Sequence, residues 1–256
     1  MEKARILILG GTGDARILAQ ALAATGAYEI LLSLAGRTEK PVSQAVPVRM
    51  GGFGGAEGLA SFLATGKFDL LIDATHPFAT RISKNAGEAS KAAGIPALAL
   101  RRPEWSEELD DRWTHVASIA DAIDALGPSP RRAFLAIGRQ EAQLAEAKPH
   151  HFYLVRSVDP VDPPLALPAV ELILDRGPYV VEDEVALLKA NRIDAVVTKN
   201  SGGSATYAKI VAARALGIEV IMVRRAESAD MQALATVELM LSAVDHLFAP
   251  SRKRGV

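Results

Sequence analysis

The chain has 256 residues, 49% of them hydrophobic and 23% charged, with a formal net charge of −1 and no cysteine. This length holds one large domain or two smaller ones with a substantial core, and the near-zero charge gives no reason to expect a nucleic-acid partner. The lack of cysteine excludes disulfides, thiolate nucleophiles and thiolate metal sites, and no apolar run approaches the roughly 20 residues that span a bilayer.

The first strand is expected close behind the N-terminus, which predicts no signal peptide and a cytoplasmic protein with no membrane partner. The run Ile6-Leu7-Ile8-Leu9 suits a strand buried on both faces. Gly10, Gly11 and Gly13 break it, and the spacing of Ile17, Leu18, Ala21 and Leu22 predicts a helix. Strands follow at 29–34 and 46–50, the second running into the glycine-rich loop 51–55 around Phe53. A short helix at 58–63 and a strand at 68–72 lead to Asp73-Ala74-Thr75-His76-Pro77-Phe78. A helix over 79–93 ends at Gly94, and a strand occupies 96–100.

The charged stretch 101–113 carries Trp105 and Trp113 and marks the domain boundary. A second alternation follows: strand 115–117, helix 119–126, strand 133–137, helix 141–147 and strand 152–155. Beyond a proline-rich loop at 159–168 come strand 171–174, helix 181–190, strand 195–198, helix 205–216, strand 219–223 as the last strand, and a closing helix over 230–247. Strands alternating with helices mean βαβ units and parallel sheets. The expected fold is therefore α/β, with two Rossmann-like parallel-sheet domains, 1–105 and 106–256, and the active site in the cleft between them.

A glycine turn between a strand and a helix lets backbone N–H groups and the positive end of the helix dipole face an anion. Gly11 and Gly13 meet the Gly-x-Gly-x-x-Gly dinucleotide pattern, but Arg16 stands where the last glycine belongs. Either the helix sits further from the strand, or Arg16 turns toward the ligand and adds charge there. An NAD site places Asp or Glu at the end of the second strand. Here the segment is Ser33-Leu34-Ala35-Gly36-Arg37-Thr38, with no acid before Glu39. Arg37 either grips a 2′-phosphate or is one more solvated loop arginine. Together with the glycine turn, the first reading favours NADP over NAD.

The loop 51–55 ends the third strand, on the edge where a doubly wound sheet binds ligands. Phe53 there either covers a flat ring or belongs to a surface loop. Thr75 and His76 lie on the same edge, with His76 either a general acid or a turn residue held by a backbone bond. In the second half Thr198-Lys199-Asn200-Ser201-Gly202-Gly203 also joins a strand to a helix. Lys199 there is a point charge for a carboxylate, and Asn200 and Ser201 add donors. Arg101, Arg102, Arg131, Arg132, Arg139, Arg156, Arg224 and Arg225 are either solvated or, if several converge, the mark of a polyanionic small molecule. No metal site is expected: His150-His151 is an adjacent pair, and there is no His-x-x-x-His or Glu-x-x-His. A Gly-x-Ser-x-Gly nucleophile elbow is also absent.

Taken in order, Gly10-Gly11-Thr12-Gly13-Asp14-Ala15-Arg16, 33–38, 51–55, Asp73-Ala74-Thr75-His76-Pro77-Phe78-Ala79 and 198–203 resemble the precorrin-6A reductase family. The resemblance implies an NADP-dependent oxidoreductase acting on a CH–CH group in cobalamin (vitamin B12) biosynthesis. It would reduce one double bond of precorrin-6A, or of the cobalt-bearing equivalent in the anaerobic route. It implies NADPH as cofactor, bound by Gly10, Gly11, Thr12, Gly13, Asp14, Ala15, Arg37, Thr38, Gly52 and Thr75. The substrate would be a polycarboxylate tetrapyrrole met by Arg16, Lys199, Asn200, Ser201 and Gly202, with His76 and Lys199 as candidate catalytic groups. A monomer or small homo-oligomer is expected. A non-catalytic NADP-sensing module is the alternative from another class. A carbonyl dehydrogenase is disfavoured, because none of the four tyrosines has Lys four positions later.

Overall fold

A computed structural model of the protein describes residues 3–36, 42–226 and 230–249. The chain forms two compact units: the described residues of Met1–Arg102 and Glu227–Val256 make the first, and Pro103–Ala226 the second. Each contains a six-stranded sheet in which every pairing is parallel.

The first unit comprises β1 (Ala4–Leu9), α1 (Gly13–Ala24), β2 (Tyr28–Leu34), β3 (Val48–Met50), α2 (Ala56–Thr65), β4 (Leu70–Asp73), α3 (Thr80–Ala93) and β5 (Ala97–Leu100). The second comprises β6 (Trp113–Val116), α4 (Ile119–Ala125), β7 (Arg132–Ala136), a 3-10 turn (Ala142–Ala147), β8 (Phe152–Ser157), β9 (Val170–Leu174), α5 (Val181–Ala190), β10 (Ala195–Lys199), α6 (Ala208–Leu216) and β11 (Glu219–Val223). The chain then returns to the first unit as β12 (Gln232–Leu234) and α7 (Val237–Phe248).

The two-sided burial of β1 decides the layering. Ile6 and Ile8 pack with Leu70 and Ile72 of β4, Leu18 and Leu22 of α1, and Met240 and Val244 of α7. Leu7 and Leu9 face the other way, onto Leu59 and Leu63 of α2 and Ala86 and Ala89 of α3. Continuous apolar strands between two helical layers are what a parallel sheet requires. In the second unit Phe134, Leu154, Val196, Val220 and Met222 build the same kind of layer against Leu188 of α5 and Ile210 of α6.

The first sheet runs β3-β2-β1-β4-β5-β12 and the second β9-β8-β7-β10-β11-β6. Both are the doubly wound order, whose winding reverses between the two central strands. In each sheet the sixth strand comes from a distant part of the chain. β6 follows β5 in sequence but pairs with β11, and β12 follows β11 but pairs with β5.

This differs from the expected division at 105/106. The second unit begins at Pro103 and ends at Ala226 instead of running to 256, because Gln232–Leu234 continues the first sheet beside Leu98–Leu100. The closing helix is correspondingly shorter than 230–247. Thr236 caps it, its hydroxyl accepting from the Leu239 N–H at 3.2 Å, so helix cannot extend back into β12. The helix expected over 141–147 is the 3-10 turn Ala142–Ala147.

His151 is fully buried beside Tyr153, its Nδ1 accepting from the Arg131 N–H at 3.1 Å. Burial, the neighbouring His150 ring and Arg131 hold its pKa below the usual histidine range. The fold therefore favours the neutral ring. Its contribution is complete above the unfolded pKa of about 6.5 and is lost as pH falls below it. Chemical denaturation at about pH 7.5 and about pH 5.5 should show a smaller acid loss for His151→Asn, which keeps an acceptor near Nδ1, than for the parent. Equal losses would remove His151 as a source of acid sensitivity.

Candidate functional site

The reversal point of the first sheet lies at the carboxyl ends of β1 and β4, and the residues there are tied together. Asp73, the last residue of β4, has no exposed surface. One carboxylate oxygen accepts from the Thr75 N–H at 3.0 Å and the Thr75 hydroxyl at 2.6 Å. The other accepts from Arg101, whose guanidinium also donates to the Asp73 carbonyl at 3.0 Å and the Ser83 hydroxyl at 2.8 Å. The turn after β4 is thus folded around its own carboxylate. It presents the Ala74 carbonyl, which accepts from the Thr12 hydroxyl at 2.8 Å.

Thr12 is also the N-cap of α1, its oxygen accepting from the Ala15 N–H at 3.0 Å. One side chain therefore sets both the helix start and its distance from β4. Gly10 packs where a Cβ would lie 2.6 Å from the Leu32 side chain. At Gly11 and Gly13 an added Cβ would meet nothing within 4 Å, so packing within the protein does not demand glycine there. The N–H groups of Gly13 and Asp14 find no acceptor among the described residues. An open approach, unpaired donors and the positive end of a helix fit the pyrophosphate of a dinucleotide. Asp14, which would oppose an anion, is neutralised by Arg102 at 2.8 Å. Thr12, Asp14, Thr75, Pro77 and Arg102 line a narrow cleft beside the turn.

The carboxyl edge of the second sheet differs. The turn after its central strand β7 leads into six residues of 3-10 helix and not into an α-helix. Lys199, ending β10, bridges the reversal point by donating to the Ile137 carbonyl at 2.9 Å and to Glu141.

A doubly wound parallel sheet with a glycine turn at its reversal point is the architecture of the Rossmann-type dinucleotide-binding reductases. The sequence model of the family described as "Precorrin-6x reductase CbiJ/CobK" matches residues 5–245. A "Precorrin-6A reductase" from Sinorhizobium sp is 55% identical over 98% of this chain and 96% of that protein. A solved structure titled "CobK precorrin-6A reductase" superposes with a TM-score of 0.92 at 42% identity, covering 97% of this chain and 99% of that one. A "Cobalt-precorrin-6A reductase" from Priestia megaterium is 29% identical over 86% of this chain and 90% of that protein. The chain belongs to the precorrin-6x reductase family.

The structure brings Gly10, Gly11, Thr12, Gly13, Asp14, Ala15 and Thr75 together at one edge, with Arg16 exposed on the first turn of α1. Gly52 lies further along that edge, in the loop after β3. Arg37 and Thr38 lie outside the described residues. His76 accepts from the Phe78 N–H at 3.3 Å through Nδ1, which puts the proton of the neutral ring on Nε2. Phe53 carries the Arg49 guanidinium 3.8 Å above its ring and packs edge-on against Phe62.

Asn200 is buried, its amide accepting from the Trp105 N–H at 2.8 Å and donating to the Trp105 carbonyl at 2.9 Å. It clamps the start of the second unit. Gly202 is required there too, since a Cβ would lie 2.0 Å from the Pro103 carbonyl oxygen. Lys199 carries Glu141 as its counter-ion, so its charge is already balanced. Ser201 stays at this turn, its N–H donating to the Lys199 carbonyl at 2.7 Å.

Several arginines are likewise internal. Arg156 forms a buried bidentate pair with Glu184 at 2.5 and 2.8 Å, and Arg131 meets Asp194 and Glu219. Sequence reading missed the Asp73–Arg101 pair, although an acid ending a fully apolar strand was the available signal. Breaking a buried ion pair by removing one partner costs about 3–5 kcal/mol. Asp73→Ala should therefore lower the unfolding free energy by about that much in a denaturant titration, whereas a loss under about 1 kcal/mol would mean the turn does not rest on this carboxylate.

Proposed function

We propose that the protein reduces precorrin-6A to precorrin-6B with NADPH, in cobalamin biosynthesis in the cytoplasm. The observation that carries this reading is the 55% identity, along 98% of the chain, to a precorrin-6A reductase. The 29% identity to a cobalt-precorrin-6A reductase makes the cobalt-free macrocycle the preferred substrate and the cobalt form the second reading.

NADPH supplies a hydride to the conjugated ring, and one proton completes the reduction. The chain's own residues place the reactants. Gly11, Gly13 and the first N–H groups of α1 hold the pyrophosphate, with Gly10, Thr12, Asp14 and Ala15 shaping that turn and Gly52 giving backbone access at the β3 end. Arg37, with Thr38 beside it, reads the 2′-phosphate. Thr75 and His76 stand at the nicotinamide end, where His76 is a proton source in its imidazolium form, with Nδ1 then released from the Phe78 N–H. Arg16 and, at the carboxyl edge of the second sheet, Lys199, Ser201, Arg139 and Arg224 meet substrate carboxylates. Lys199 does so by exchanging Glu141 for a ligand carboxylate.

Purified protein should oxidise one NADPH for each precorrin-6A consumed, with a much lower rate on the cobalt-bearing macrocycle. Turnover of the cobalt form alone would establish the second reading. Tight NADPH binding with no turnover of either would leave a sensing module.

A further inference from the structure

The end of β2 and the end of β3 together form the place where a doubly wound sheet meets the adenosine ribose. Their register sets Ser33 beside Arg49 and Leu34 beside Met50, and the Gly51 N–H extends the pairing by donating to the Leu34 carbonyl at 2.9 Å. Arg49 is half-buried there. Its Nη1 donates to the Ser33 hydroxyl at 3.2 Å and the Gly51 carbonyl at 2.6 Å, and its Nη2 to the Gly52 carbonyl at 2.6 Å. Its carbon centre lies 3.8 Å from the Phe53 ring centroid and 5.1 Å from that of Phe62.

Three features mark Arg49. Among the described residues it pairs with no carboxylate, whereas Arg101, Arg131, Arg156 and Arg214 each do. The described residues at the two strand ends, Ile30 to Gly36 and Val42 to Ala56, include no Asp or Glu. A guanidinium has five N–H donors, and among the described residues the three bonds above leave the Nε–H and one Nη2–H unused. A cation fixed by an aromatic face and loop carbonyls, with donors to spare and no counter-ion among the described residues, is suited to an incoming anion.

We propose that Arg49 is a 2′-phosphate-reading residue of this site, fixed in place before the cofactor arrives. The proposal rests on the NADPH reading above and adds a specificity determinant from β3 to the one the sequence assigns to Arg37. Arg49 preselects a 2′-phosphorylated nucleotide because no carboxylate among the described residues answers its charge. Its bonds to the Gly51 and Gly52 carbonyls tie the loop to the strand end.

Calorimetric binding of 2′,5′-ADP and 5′-ADP to the intact protein tests this without turnover. The parent should prefer 2′,5′-ADP. Arg49→Met should weaken 2′,5′-ADP by roughly 10-fold to 100-fold, leaving 5′-ADP within about 2-fold, and Arg49→Lys should recover part of the loss. Equal weakening of both nucleotides would show that Arg49 only shapes the loop, and an unchanged preference would show that it does not touch the phosphate. Either outcome overturns the proposal. A parent with no preference would overturn the NADPH reading itself, a separate result.

Discussion

A carboxylate sealed from solvent is unfavourable unless it is matched by charge and hydrogen bonds. Asp73 has both, and the reversal point of the first sheet depends on how they are arranged. Arg101, just past β5, supplies the charge, while Thr75, two residues further along the chain, supplies an N–H and a hydroxyl. The strand therefore cannot simply run on. It bends around its own side chain and shows the Ala74 carbonyl to Thr12, which in turn starts α1. The glycine turn owes its place to this chain of bonds, and the donors at the start of α1 are aimed by it.

The two sheets repeat one topology with different edges. In the first, the reversal point is an open turn with uncommitted N–H groups at the head of a 12-residue helix. In the second, Lys199 and Glu141 span the equivalent place, and the Asn200 amide and Gly202 hold the incoming chain at Trp105 and Pro103. A shared fold does not give a shared function, because the function lies in what stands at the edge. The first edge suits an anionic dinucleotide. The second offers side-chain cations, several already balanced by carboxylates.

Much of the fold was legible in the sequence, because buried parallel strands leave unbroken apolar runs such as Ile6–Leu9 and helices end at glycines such as Gly94 and Gly217, both left-handed. The exchange of β6 and β12 was not legible. Each is three or four residues long, and a short apolar run fits either sheet edge equally well. Of the site, the glycine turn and the Asp73–Ala79 run could be found from their residue types. The clamp made by Asn200 was not legible, since a polar residue after a strand reads the same whether it faces a ligand or holds a backbone. Arg49 was passed over for a similar reason: nothing in Val48-Arg49-Met50 distinguishes it from a solvated arginine. Only the structure sets it beside Ser33 and over Phe53.

The central claim is that the cofactor lies across the carboxyl edge of the first sheet, its pyrophosphate at the start of α1. A crystal structure of the protein grown with NADP+ tests it directly. The account predicts phosphate oxygens within hydrogen-bond distance of the Gly13 and Asp14 N–H groups. A nucleotide seated instead at the carboxyl edge of the second sheet, with the turn after β1 empty, would contradict it.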